Sequence, residues 1–244
     1  MPQDMTSPAA TPDDSVSAVS RLVGVFVSPG KTFESIGRRP TWLLPLAIWM
    51  VMSVAVTAVL IPRTDWAGII RGGIEKSGQN VSEAQIEKRI ETIKSFSWTY
   101  YVVAILAPAV IALVPAAFFW LGLKAFGWDI AFRQSLGVTT HAFLPGILAS
   151  LILLPLLWRM DAIDPKEMGD LLKSNPGFLV DAKSSPALHS LLQSLDVFSL
   201  WTIVLLVVGL SAAAKISRGR TAGLVLTLWV LYVLGKAGFA AAFG

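Results

Sequence analysis

The sequence predicts an all-α fold: a polytopic integral membrane protein, built as a bundle of five transmembrane helices with short interfacial helices. Three observations predict it. The 244 residues are 54% hydrophobic and only 15% charged, far above the apolar share of a soluble domain. Long uncharged runs recur, among them Pro40 to Pro62, Ser95 to Leu123 and the 18 residues from Val197 to Ala214. The last of these leads into the turn Lys215-Ile-Ser-Arg218-Gly-Arg220, with three cations and no acid, and then into another uncharged run from Thr221 to Gly235. A helix needs ~20 mostly apolar residues to cross the hydrocarbon layer. Inside that layer every backbone N–H and C=O must bond within the chain, so the runs are expected to be helical. A short loop with three cations is expected to stay cytoplasmic.

Residues 1–15 are mostly Pro, Ser, Thr, Ala and Asp and have little to bury; they read as a disordered cytoplasmic tail. No apolar core follows the initial Met, so no cleaved signal peptide is expected. Residues 16–39 read as cytoplasmic interfacial helices. Val16, Val19, Val23 and Phe26 recur at helical spacing with Arg21 on another face, as in a helix lying on the membrane surface. Ser28-Pro29 reads as N-cap and first helical position of a second helix carrying Phe33 and Ile36, with Gly37 as its stop. Arg38-Arg39 should hold the next segment's entry in the cytoplasm.

The membrane unit is expected to cover residues 40–244, with spans at about 41–61, 98–123, 136–158, 196–214 and 221–241. In the first span, Trp42 and Trp49 suit an interfacial belt. The loop from Arg63 to Lys94 has six cations and five acids. There Ser82-x-x-Gln85 reads as a capping box, followed by a stripe of Ile86, Ile90 and Ile93. In the second span Pro108 and Pro115 are seven residues apart, share a face and should bend the helix. The third contains His141, Pro145-Gly146 and Pro155. The loop from Arg159 to Asp196 has four cations and six acids, with helix starts at Asp164-Pro165-Lys166-Glu167 and Ser185-Pro186. Five spans put the termini on opposite sides: N-terminus cytoplasmic, both long loops and the C-terminus external.

Composition also excludes functions. The net charge of +4 comes from dispersed residues, so nucleic acid is not expected as a partner. With no cysteine, thiol catalysis, disulfides and Cys-ligated metals are excluded. His141 is the one histidine in a span and no carboxylate joins it there, so no metal, cofactor or catalytic group is expected. The segment from Gly24 to Thr32 is similar to a phosphate-binding loop, but five residues separate Gly24 from Gly30 where the motif needs four, and Pro29 removes an amide. No internal repeat is visible, which counts against a transporter built from inverted repeats.

Polar groups within spans are functional candidates by default. Gln134 and His141 lie near the start of the third span, where a hydrogen bond between helices is the expected role of His141. Lys236 is the one cation well inside a span; mid-membrane it would cost ~2.5–3.5 kcal/mol, but its stem can reach the outer interface. Gly209 and Ala213, four apart, have the spacing of small residues at helix contacts, and Gly235 and Gly238 could serve similarly.

Several segments together resemble the Yip family of membrane proteins, named for interaction with Ypt/Rab GTPases, and its bacterial branch most closely. They are Ser28-Pro29-x-x-Thr32-Phe33-x-x-Ile36 followed by Pro40-x-Trp42-x-x-Pro45; Trp120 to Gly127 with Phe132-Arg-Gln-Ser-Leu136 and Pro145; and Leu195 to Trp201 with Gly209-Leu210 and the basic turn. The resemblance implies five membrane helices, a cytoplasmic N-terminal segment and, for a bacterial member, the inner membrane. Eukaryotic relatives act in vesicle traffic through protein contacts. The Asp-Leu-Tyr-Gly-Pro signature associated with them is missing here, so a small GTPase partner is not carried over.

The expected function is that of a non-enzymatic membrane protein. It would be a scaffold for membrane organisation or trafficking, acting through the lipid bilayer and membrane-protein partners or self-association. The alternative is a small-solute transporter or permease subunit, with the span prolines breaking helices around a path lined by His141 and Gln134.

Overall fold

Proline and small polar residues set the corner from which the chain enters the bundle. The computed structural model describes residues 17–78, 80–165 and 168–243, with only the backbone at Lys76. The expected disordered tail lies outside the described residues, as do Lys166 and Glu167 of one expected helix start. Helix α1 (Ala18–Val27) begins at Ser17, whose side chain accepts from the Ser20 N–H. Helix α2 (Pro29–Arg38) begins on Pro29, where the missing N–H has no intrahelical partner to lose. The two helices meet at Ser28. They close tightly because residue 24 is glycine: a Cβ there would lie 2.4 Å from Thr32 Oγ1. α2 continues through Gly37, the expected stop. That glycine serves a close approach instead, since a Cβ on it would lie 3.1 Å from Ala213 Cα.

Five helical segments are long and apolar enough to cross a membrane. They are α3 (Leu43–Arg63), α6 (Trp98–Ala125), the pair α7 (Phe132–Ala142) and α8 (Leu144–Trp158), α11 (Val197–Ala214) and α12 (Arg218–Phe243). The third is broken at Phe143. Pro145 has no N–H to give to the His141 carbonyl, and Gly146 N–H bonds instead to Phe143 O at 3.1 Å. α6 stays helical through both of its prolines. Its buried stripe, Ala104, Pro108, Ala112 and Ala116, repeats every fourth residue and lets α3 approach closely. The opposite face carries Val103, Leu106, Val110 and Phe118, each more than half exposed. Such a continuous apolar surface has lipid as its natural cover. Trp49, expected in an interfacial belt, turns inward and meets the Phe143 ring edge-on at 5.5 Å.

Alternation of the spans puts both long loops at one end of the bundle, and there they are joined. Asp65 N–H donates to Ile163 O at 3.1 Å and Ile163 N–H to Arg63 O at 2.8 Å. The Arg63 guanidinium lies 4.7 Å over the Trp158 ring. The first long loop holds α4 (Trp66–Ser77), closed by Gly78 at φ 63°, and α5 (Glu83–Ser95), opened by the Ser82–Gln85 capping box. Of the expected isoleucine stripe, Ile86 is buried. The second long loop holds the short helix α9 (Met168–Leu171), a 3₁₀ turn at Pro176–Leu179, and α10 (Pro186–Gln193).

A polar latch ties α9 to α10. His189 Nε2 lies 2.8 Å from Asp170 Oδ2, and Gln193 Nε2 donates to Asp170 Oδ1 at 3.2 Å. Asp170→Asn should weaken this latch by about 1 kcal/mol. Limited proteolysis should then cut residues 160–185 faster while the bundle stays intact; unchanged cleavage would show that the latch is idle.

Candidate functional site

The polar groups of the bundle collect on α7, under the N-terminal corner. Ser135, Thr139, Thr140 and His141 are all 2% exposed or less, so each needs a partner inside the protein. Ser135 Oγ donates to Ala116 O at 2.7 Å, joining α7 to α6. Thr139 donates to Ser135 O at 2.8 Å, and Thr140 to Leu136 O at 3.0 Å. His141 Nδ1 lies 2.8 Å from Gly137 O. A carbonyl only accepts, so Nδ1 carries the hydrogen. The sequence predicts a bond from His141 to another helix; this one is to its own. Gly137 opens the face beside it, since a Cβ there would lie 3.2 Å from both Ile36 Cγ2 and Thr41 O.

Two side chains stitch the corner to α7 and to the entry of α3. Gln134 sits in the first turn of α7. Its Oε1 accepts from Ala131 N–H at 2.8 Å, and its Nε2 donates to Gly37 O at 2.7 Å. Arg21 is the element that sequence reasoning misses. Expected on a polar face, it is 6% exposed, and its guanidinium donates to Arg39 O at 2.8 Å and Thr41 Oγ1 at 3.1 Å. Its Nε is buried without a hydrogen-bond partner. Burial, and then the charge of Arg39, hold this guanidinium below its ordinary pKa. The available signal was spacing: Arg21 precedes the fully buried Val25 by four residues, hence on one helix face.

Around Gly209 and Ala213 the chain packs closely on itself. A Cβ on Gly209 would lie 2.5 Å from Val138 Cγ1 and 2.8 Å from Phe33 Cδ1, while Ala213 receives Gly37. Gly235 and Gly238 have nothing within 4 Å of an added Cβ, so they are not contact positions within the chain. Lys236, on the last turns of α12, is partly buried beside the buried Ala237. The segment from Gly24 to Thr32 forms the α1–α2 corner, with Thr32 closed against Gly24. Among the described residues no group of three His, Asp or Glu could hold a metal ion.

Two clefts flank this framework. One, of about 460 Å³, lies between Gly37–Thr41 and residues 131–134 and includes Arg38, Arg39 and Arg133. The other, of about 500 Å³, lies at the far end between Pro62, Trp66, Lys94 and Tyr101.

An apolar exterior around five long helices, with polar side chains turned inward onto backbone carbonyls, defines a polytopic α-helical integral membrane protein. The chain matches the Yip1 domain over residues 23–239 and belongs to that family. Over 202 residues it is 27% identical to "Membrane protein YknW" of Bacillus subtilis (strain 168), covering 81% of this chain and 80% of that protein. No solved structure matches it significantly. The family match begins at residue 23, so it takes in α2 and the second half of α1 but not Arg21.

Proposed function

We propose that this chain is a non-enzymatic organiser of the bacterial inner membrane, acting through lipid and membrane-protein contacts. Its N-terminus and the basic turn face the cytoplasm, and its C-terminus faces outward. Residues 40–244 form the membrane unit and residues 16–39 an interfacial corner docked on it. The observation that supports a structural role is where the polar side chains go. Gln134, Ser135, Thr139, Thr140 and His141 all bond backbone atoms, joining and bracing helices rather than lining a path or activating a nucleophile. Gly209 and Ala213 likewise pack elements of the chain together.

The break at Phe143, immediately after His141, favours the second reading, a small-solute transporter or permease subunit, because discontinuous helices surround solute sites in such proteins. Purified protein in proteoliposomes separates the two. The organiser shows no solute flux above empty vesicles, and crosslinking in native membranes captures defined membrane proteins. Flux that His141→Ala abolishes would replace it with the transporter. Reporter fusions at Gly219 and Gly244 should read cytoplasmic and external; the reverse pattern would invert the orientation.

A further inference from the structure

The second long loop is built inside out. In α10 and the turn after it, His189, Ser190 and Ser194 are buried, while Leu188 and Leu195 are exposed. Leu188, Leu191, Leu192 and Leu195 recur at the i, i+3, i+4, i+7 spacing of one helix face, and His189, Ser190, Gln193 and Ser194 hold the other. A helix packed on a protein from the water side turns its apolar stripe inward. Here the polar stripe is the inward one. His189 and Gln193 meet Asp170, and Ser194 Oγ donates to Ser190 O at 2.9 Å. The 3₁₀ turn packs beside α10 and adds Phe178 and Leu179, both exposed.

Two connections fix where this outward apolar face lies. The first is covalent. α11 has 18 residues, about 27 Å at 1.5 Å per residue, which is no more than the ~30 Å of the hydrocarbon core. Its first residue, Val197, therefore cannot stand clear of the membrane. Leu195 precedes Val197 by two residues, a reach of at most about 7 Å. The second is packing: α10 lies against α12, the last span. The exposed apolar residues also continue along the chain from Leu195 through Val197, Leu200 and Val204 on α11, a surface whose cover is lipid. Hydration marks the other end, where Asp181, Lys183 and Ser184 stand exposed before α10. Lys173 Nζ lies 5.9 Å from the Phe178 ring, so a cation is at hand where the aromatic side chain would enter the headgroup layer.

We propose that α10 and the 3₁₀ turn lie in the bilayer surface, with Phe178, Leu179, Leu188 and Leu195 inserted at the boundary between headgroups and acyl chains. Amphipathic helices bury their apolar face about 5–10 Å into that boundary. The Asp170 latch holds the polar side of α10 against the protein and so keeps the leucines turned out. The inference deepens the lipid-contact part of the proposed function and rests on that part alone. It is independent of orientation, of protein partners and of solute flux, so the experiments above and the one below fail separately.

The chain has no cysteine, so one introduced thiol reports one position. Leu179→Cys, Leu188→Cys, Lys183→Cys and Val204→Cys are each labelled with the fluorophore NBD. The full chains are placed in phosphatidylcholine vesicles, with or without phosphatidylcholine that carries a nitroxide at the headgroup end of an acyl chain. The nitroxide lipid should dim the probes at residues 179 and 188 at least as strongly as the one at residue 204. Iodide on both sides of the vesicles should dim them less than the probe at residue 183. All four positions are exposed, so melting temperatures should match the wild type; were one leucine variant to melt early, the other carries the test.

Iodide quenching equal to that at residue 183, without quenching by the nitroxide lipid, puts the face in water and overturns the proposal. Quenching by neither agent overturns it in favour of a protein cover. A dimer of Leu188→Cys captured by a short thiol crosslinker would then identify that cover as a second copy of the chain.

Discussion

Phe33→Ala should loosen the whole N-terminal corner and give the largest loss of stability of any single truncation in this region. Phe33 is fully buried, in one cluster with Val25, Ile36, Val138 and Leu210. Its ring closes against the backbone of α11 at Gly209, so its removal leaves a cavity that neighbouring helices cannot fill without sliding. Buried Phe→Ala changes cost roughly 3–5 kcal/mol, and the lower end applies here because lipid tails can cover some of the surface released. For a chain of this size, about 3 kcal/mol corresponds to a melting temperature roughly 6–12 °C lower. Protease should cut residues 18–41 first. Val23→Ala on the exposed face of α1 is the control and should leave the melt unchanged. A wild-type melt for Phe33→Ala would show that α2 is not seated on α11.

Gly209→Leu should be comparably damaging through the opposite defect. A Cβ alone would stand 2.5 Å from Val138 Cγ1 and 2.8 Å from Phe33 Cδ1, distances that atoms do not tolerate, so α11 must move away from α2, α7 or both. Overpacking of this kind costs about 1–3 kcal/mol or more. Gly235→Leu adds the same side chain where nothing lies within 4 Å and should preserve the melt or raise it slightly, since glycine is a poor helix former. The two sites touch, so their effects should not add: the double variant Phe33→Ala with Gly209→Ala should cost less than its two parts. Strict additivity would place the contact elsewhere.

Which features could be read from the sequence follows from how far each signal extends. Uncharged runs such as Ser95 to Leu123 announce membrane helices because lipid demands an unbroken apolar length, and that demand is written in consecutive residues. Local punctuation was equally legible, as at Ser28-Pro29 and Ser82-x-x-Gln85. The destination of a helix face was not. Phe33 and Ile36 form the same stripe whether they meet lipid or α11, and nothing near them in sequence names Gly209. Arg21 misled because a charge reads as solvated until a carbonyl from another segment is found for it, here at Arg39. Gly37 read as a stop because local rules cannot distinguish a helix-ending glycine from one that admits a neighbour. The spacing of Gly209 and Ala213 pointed to helix contacts in general, but Phe33 and Gly37, which lie against them, each precede them by 176 residues. Gln134 was noticed for being polar in an apolar segment, whereas its bond to Gly37 O spans a separation of 97 residues.

The seating of α2 on α11 also sets an order of events at the ribosome. The corner is synthesised first, yet Gly209 follows Phe33 by 176 residues. At about 5–20 residues per second that is a delay of roughly 10–35 s. Throughout it, the newborn apolar ridge of Phe33 and Ile36 lacks its α11 face and has at most its α7 contacts, at Gly137 and Val138. The closing contact of assembly, between Phe33 and Gly209, therefore joins an early-made segment to a late one.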